Sequence, residues 1–271
     1  MNKDVQRRLL RTLAGDQHSC PLFFPGIYDY KAAFSRTPAH LFGQDKADLI
    51  ASLETEIAEI QADMVICAYD IYNIEAEALG CPVIREAGQF PSIAGPMLEC
   101  LNPADLPRIA EPQQRVALFL EVTEVIHQRY GQQIQVFGAV SGPFSMAGKL
   151  YPQERLLMDC LDNAEGVHAL MRYCTEFIRM IVKCYGQRGI PVVLFDSLAA
   201  PPLVSPELYA RLILPYHQTI FRDMIDLGLV IRPLIIGGDT CTILDLCQES
   251  GANLLLLDYT IAQERLSALL E

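Results

Sequence analysis

The sequence predicts a parallel α/β fold, a TIM-barrel-like (β/α)8 architecture in incomplete or distorted form. Three observations lead there. Short apolar runs recur along the chain, and longer stretches with helical periodicity separate them. No repeat, low-complexity tract or linker divides the 271 residues, which read as one domain spanning 1–271. Most of the runs are near-continuous rather than alternating, the pattern of parallel strands buried on both faces.

The strand candidates are Pro21–Pro25, Met64–Ala68, Gln135–Val140, Val192–Phe195, Ile231–Ile236 and Asn253–Leu257. After the first, Leu49, Ile50, Leu53, Ile57 and Ile60 form an apolar helical stripe, with Asp45 placed as its N-cap. The proline-rich segment Cys81–Pro112 is too long for a simple connection and is expected to cover one end of the sheet or barrel. A longer stripe runs through Val167, Leu170, Met171, Cys174, Phe177, Ile178, Ile181 and Val182 toward Gly186 and Gly189. Ser205-Pro206-Glu207 opens another helix with a cap, a proline at N1 and an acid in the first turn. Six βα units are identifiable, against eight in a full barrel of about 250 residues. The other two are expected to be absent, supplied by another chain, or replaced by 81–112. Unpaired strand edges then lead us to expect a homodimer or a docked partner subunit.

Lysine plus arginine number 21 against 33 aspartate plus glutamate, a net charge of −12. Such a surface repels phosphate backbones, so nucleic acid is not an expected partner. The longest apolar runs fall far short of the ~18–20 residues of a membrane span. The N-terminal stretch MNKDVQRRLLRTLAG has no continuous apolar core, so no signal peptide is expected. Nine cysteines, an odd number without a CxxC, read as reduced thiols packed in a cytoplasmic protein.

Chemistry in parallel α/β folds sits where strands end. Tyr28, Asp29, Tyr30 and Lys31 follow the first run, and Asp70, Tyr72, Asn73, Glu75 and Glu77 the second. Ser141 and Gly142 follow the third, Asp196 and Ser197 the fourth. Gly237, Gly238, Asp239, Thr240 and Cys241 come after the fifth, Asp258 and Tyr259 after the sixth. Asp70, Glu75, Glu77, Asp196, Asp239 and Asp258 would converge on one rim, where carboxylates must hold protons, bind a metal or meet a cation. The competing reading makes such carboxylates helix caps. Glu75 and Glu77, two residues apart, point in different directions. Gly237-Gly238 is a phosphate nest or, more simply, a tight turn. The five histidines have no ligand spacing. Asp70, Asp239 and Glu77 are the candidate catalytic residues. Tyr28, Lys31, Tyr72, Glu75, Ser141, Asp196 and Asp258 are candidate substrate-binding residues.

DIYNIEAEALGC (70–81), GAVSGPFSMAGKL (138–150), FDSLAAPPLVSPELYARLILPYH (195–217) and IIGGDTCTIL (235–244) resemble the uroporphyrinogen decarboxylase superfamily. The resemblance is strongest to its corrinoid-dependent branch, the methylcobamide:coenzyme M methyltransferases. It implies a distorted (β/α) barrel with its pocket at the strand C-termini. The decarboxylase's own site is not reproduced. Pro25–Phe34 has no arginine and only Lys31, Asp70 matches the family's aspartate, and the tyrosine expected after the third run is replaced near Gly148–Lys149. An acidic rim with one lysine repels a polycarboxylate. The methyltransferase branch implies zinc held by a His-x-Cys pair and a later cysteine. Ile235 and Gly237 stand at the pair and the sequence stops before the later cysteine, so no sulfur-ligated zinc is expected. An oxygen-ligated metal on Asp70, Glu77, Asp196 or Asp239 is left open.

Two functions follow. The first is methyl transfer in one-carbon metabolism between a corrinoid (cobalamin) protein and a small substrate. The second is a catalytically silent scaffold or binding subunit of such a system, with a decarboxylating lyase behind both.

Overall fold

The computed structural model describes residues 3–16, 20–258 and 261. In chain order the elements are α1 (Lys3–Leu13), α2 (Lys46–Ile60), β1 (Met64–Ile66), α3 (Asn73–Ala78), β2 (Val83–Ile84) and β3 (Ser92–Ile93). They continue with α4 (Gln114–Tyr130), β4 (Gln135–Ser141), α5 (Pro143–Leu150), α6 (Gln153–Asp162), α7 (Ala164–Gly186) and β5 (Val192–Phe195). The last are α8 (Pro206–Leu212), α9 (Leu214–Asp226), β6 (Pro233–Ile235), α10 (Leu244–Glu249) and β7 (Leu254–Leu256).

Five strands form one parallel sheet in the order β1-β4-β5-β6-β7. Registers run Val65 to Val136, Val140 to Leu194, Phe195 to Ile235 and Ile235 to Leu256. Strands neighbouring in sequence along this sheet are neighbours in space, and each crossover carries helix, as parallel pairing requires. The architecture is TIM-barrel-like and incomplete among the described residues.

Five of the six apolar runs pair in this sheet, and Pro21–Pro25 does not. That segment lies beside the start of β1, where the Phe23 carbonyl accepts from the Asp63 amide at 3.0 Å. Its own Phe23 amide goes to the Asp63 carboxylate instead, at 2.9 Å. Proline at both ends removes two donors from a five-residue stretch, so no ladder forms.

Successive residues of the strands divide two cores. Met64, Ile66, Phe137, Val193 and Phe195 point into the curl of the sheet, where Leu9 of α1 and Ile231 join them. Phe24 stacks on Phe137 there with ring centres 5.4 Å apart. Val65, Val136, Val140, Val192 and Leu194 point outward into the larger core beneath α2, α4, α7 and α9. Leu9 thereby makes α1 a plug for the interior, and the Arg8–Asp63 ion pair fastens it to the base of β1.

Local signals placed the helices. The Asp45 carboxylate accepts from the Asp48 amide at the start of α2, and Ser205 accepts from the Leu208 amide at the start of α8. The segment 81–112 forms the antiparallel pair β2–β3 and then runs over the helical layer. There the Leu98 amide donates to Leu150 O at 2.8 Å and the Tyr173 hydroxyl to Pro107 O at 2.8 Å. It braces α5 and α7 as much as it borders the strand ends.

Phe137 is fully buried at the centre of the inner core. Phe137→Ala is expected to cost about 3–5 kcal/mol, read by denaturant unfolding with an unchanged slope.

Candidate active-site cleft

The turns that follow β1, β4 and β5 meet in a cleft of about 320 Å³ lined by Tyr72, Ser145, Lys149, Gln153, Ser197, Leu198 and Leu203. Its two sides are joined by one hydrogen-bonded pair. The Tyr72 hydroxyl donates to Ser197 Oγ at 2.7 Å and accepts from the Ser197 amide at 3.2 Å. Burial, with Asp196 and Glu75 nearby, pushes the Tyr72 phenol up to about 12, so it is a neutral donor near pH 7. Ser145 Oγ accepts from the Leu198 amide at 3.0 Å, which fixes the far wall. Asp70 and Tyr72 both have positive φ, 54° and 77°, a strained turn held by the contacts around it.

The acidic residues do not share one rim. Asp70 is buried and accepts from Arg115 Nη1 at 2.7 Å and from Asn73 Nδ2 at 2.5 Å. The same Arg115 nitrogen reaches Glu77 at 3.1 Å, and Glu77 also pairs with Arg85. Arg115 Nε donates to Gly43 O at 3.2 Å, which locks the guanidinium between α4 and the loop before α2. Desolvation by burial pushes the Asp70 carboxyl up, and Arg115 pulls against it. Glu75, on the opposite side of α3 as its spacing from Glu77 requires, accepts from the Ser141 amide at 2.8 Å. It borders a small cavity of about 30 Å³ whose other walls include Ile71, Ile74, Phe119 and Ile181. Burial among these apolar groups pushes its carboxyl up as well.

Asp196 ends β5 fully buried and turned toward the helices. Its oxygens accept from the Ser145 amide at 2.6 Å, the Phe144 amide at 3.3 Å and His217 Nε2 at 2.8 Å. Asp196 therefore caps α5, a helix earlier in the chain, rather than the one that follows. Gly142 is the residue that permits this, because a Cβ there would collide with the Asp196 side chain. His217 Nδ1 lies 3.0 Å from the Tyr209 hydroxyl, so the network continues into α8.

Lys31 does not face the cleft. It is buried in a 3.0 Å ion pair with Glu56 of α2, behind β1. Tyr28 packs edge-on against Phe195 in the inner core. Ser141 is buried and gives its amide to Glu75. Asp239 is exposed and accepts from the Cys241 amide at 3.0 Å, and Asp258 is half-buried at the end of β7. Tyr259 lies outside the described residues. Arg115, Arg85 and Lys149 are the charged groups that strand-end reading missed. Arg85 directly follows β2 and Arg115 opens α4, both away from the ends of the strands in the main sheet.

Among the described residues no three His, Cys, Asp or Glu side chains group as metal ligands. Ile235 packs with the inner core, and a Cβ on Gly237 would approach the Ser197 hydroxyl. Neither position offers a donor, so the residues present do not fit a His-x-Cys zinc site. No described helix is long and apolar enough to cross a membrane.

Comparison with known proteins adds the following. The family described as Uroporphyrinogen decarboxylase (URO-D) matches residues 5–269. A methylated-thiol–coenzyme M methyltransferase of Methanosarcina mazei is 26% identical over 223 residues, covering 81% of this chain and 58% of that protein. The methylcobamide:CoM methyltransferase MtbA of Methanosarcina acetivorans is 27% identical over 230 residues, 82% of this chain and 65% of its own length. A uroporphyrinogen decarboxylase of Trichormus variabilis is 24% identical over 208 residues, 74% and 58% of the two chains. The chain thus spans about three-fifths of these relatives' length. A solved methyltransferase from Methanosarcina mazei shares the fold with a TM-score of 0.79 at 18% identity, over 93% of this chain and 75% of that one.

Two stability measurements test the charge assignments. Asp70→Asn takes from the buried Arg115 the nearer of its two carboxylate partners and is expected to cost about 2 kcal/mol, whereas Asp239→Asn on its exposed loop should stay within about 0.5 kcal/mol. Glu75 has a folded-state pKa above its unfolded value, so the native state binds the extra proton. Its contribution is fully present below the unfolded value, about 4.3, and is lost as pH rises through the raised native one. Glu75→Gln should therefore gain stability relative to the parent as pH increases from 4 to 8, measured by urea melts across that range.

Proposed function

Because the chain belongs to the uroporphyrinogen decarboxylase (URO-D) family, we propose that it moves a methyl group between a methylcobamide carried by a corrinoid protein and a small substrate held in the Tyr72–Ser197 cleft. The relatives named as methylcobamide:CoM and methylated-thiol–coenzyme M methyltransferases support the methyl-transfer branch. The observation that carries the choice is Lys31. It is the single basic residue of Pro25–Phe34, and Glu56 neutralises it inside the protein. A polycarboxylate tetrapyrrole would meet no free cation from that segment, and the cost of desolvating the charges facing it would stand uncompensated.

The methylated corrinoid supplies the methyl group; this chain binds and orients the other reactant. Tyr72 and Ser197 would hold the small substrate by hydrogen bonds at the ends of β1 and β5. Asp239, exposed on the loop whose Gly237 adjoins Ser197, is the carboxylate proposed to take up or return the substrate's proton. Asp70 and Glu77 would act through Arg115, as positioning residues for the turn that presents Tyr72. Glu75, Ser141 and Asp196 would support the same walls from behind, with Tyr28 and Asp258 bordering the interior. Self-association belongs to the same proposal, since β7 is an edge strand among the described residues and its three leucines are all part-exposed.

A second reading has its own support: Ile235 and Gly237 offer no metal ligand, as expected of a silent binding subunit. One assay separates the two. Purified protein with methylcobalamin and a panel of small thiols is expected to give loss of the methyl–cobalt absorbance and a methylated thiol. Asp239→Asn should lower that rate at least tenfold while its melting temperature holds. Absence of turnover, with retained binding of a methylated corrinoid protein, selects the scaffold. Light scattering is expected to report a dimer.

A further inference from the structure

A second cavity, of about 490 Å³, opens at the other end of the sheet, where Gln135 begins β4 and Pro191 and Ile231 precede β5 and β6. It is larger than the strand-end cleft of about 320 Å³ and falls within the size range of small-molecule sites. Leu9 and Leu10 of α1 form one wall, Leu229 and Val230 another, and Leu10 and Val230 stand exposed at its mouth. No aspartate, glutamate, lysine or arginine lines it, although 20% of the chain is charged. Two side chains make its polar end. Gln135 is 7% exposed, and its Nε2 donates to Val136 O at 2.9 Å. A backbone carbonyl can only accept, so the amide nitrogen must face it, and Gln135 Oε1 is left without a partner among the described residues. His127, in the last turn of α4, has Nδ1 shut in against Gly131, also without a partner. An unpaired N–H is harder to bury than a bare lone pair, which puts the ring proton on Nε2. Burial holds this imidazole below its ordinary pKa, in the neutral form.

We propose that this basal cavity binds a neutral molecule with an apolar body and a single hydroxyl, of the phenol or alcohol class. A hydroxyl donates to Gln135 Oε1 and accepts from His127 Nε2 through one atom. An ether or a carbonyl can only accept, and an amine would enter as a cation. An ionised ligand would lose its water shell against uncharged walls and gain no counter-ion. A buried carbonyl with no hydrogen-bond partner is itself uncommon, and a ligand hydroxyl accounts for it. The site is separate from the methyl-transfer reading, since the strand-end cleft lies at the opposite ends of β4 and β5. Leu9 and Ile231 belong both to the cavity wall and to the inner core, so a bound molecule also buttresses the α1 plug.

The test is calorimetric binding to the whole chain of para-ethylphenol, of its methyl ether para-ethylanisole and of the anion para-ethylbenzoate. The phenol is expected to bind about tenfold tighter than either and to raise the melting temperature as its concentration rises. Gln135→Met should bring the phenol and the ether to equal affinity. Val230→Trp, at the exposed mouth, should weaken the phenol at least tenfold while the melting temperature of the free protein holds. Tyr72→Phe, in the strand-end cleft, should leave its affinity unchanged. No binding of the phenol, equal binding of the three molecules, or a preference that survives Gln135→Met overturns the proposal. So does an affinity that ignores Val230→Trp, or one that falls with Tyr72→Phe, which would put the phenol in the other cleft.

Discussion

One buried carboxylate organises the mouth of this molecule. Asp196 ends the central strand β5 and takes two amides from the first turn of α5 and a ring N–H from α9. Removing a carboxylate from water costs several kcal/mol, and three donors at a helix N-terminus offset that only while β5, α5 and α9 keep one relative placement. The next residue is Ser197, and its hold on Tyr72 spans the turns after β5 and β1. The width of the cleft and the direction of the Ser197 hydroxyl thus follow from a charge that no ligand can reach. Gly142 is part of the same arrangement, since any larger residue there would push the carboxylate away.

A second internal charge does for the outer side of the cleft what Asp196 does for the centre. Arg115 gathers Asp70, Glu77 and the Gly43 carbonyl of the loop before α2 around a single guanidinium. The two halves of the rim are therefore fixed by unlike means, one by helix amides and one by a fork of donors. Such buried pairs lend geometry more than stability. In the proposed function that geometry keeps Tyr72, in its strained backbone conformation, facing Ser197.

The sheet was legible because burial on both faces leaves an uninterrupted apolar signature, and β1, β4, β5, β6 and β7 all carry it. Pro21–Pro25 carries the same signature without the donors, and reading apolarity alone placed a strand where two prolines forbid one. The caps at Asp45 and Ser205 were legible because they are local. The acidic residues were found individually but misjudged together. Asp70, Glu75, Glu77 and Asp196 follow strands as a catalytic rim would, yet each is answered by a partner 38 to 66 residues away or, for His217, 21. Periodicity cannot see such pairings, because they depend on which helix lies over which strand.

The plug made by α1 has a consequence for biosynthesis. Leu9 and Ile231 belong to one inner core, and some 220 residues of chain separate them. At about 5–20 residues per second, the ribosome delivers the second roughly ten to forty seconds after the first. Through that interval the apolar side of α1 has no complete cavity to occupy, and closing so long a loop is slow once its partners exist. The apolar side of α1 is thus open to chaperones and to aggregation throughout that interval, and the interior is sealed by a segment made some 220 residues ahead of the residue that completes it.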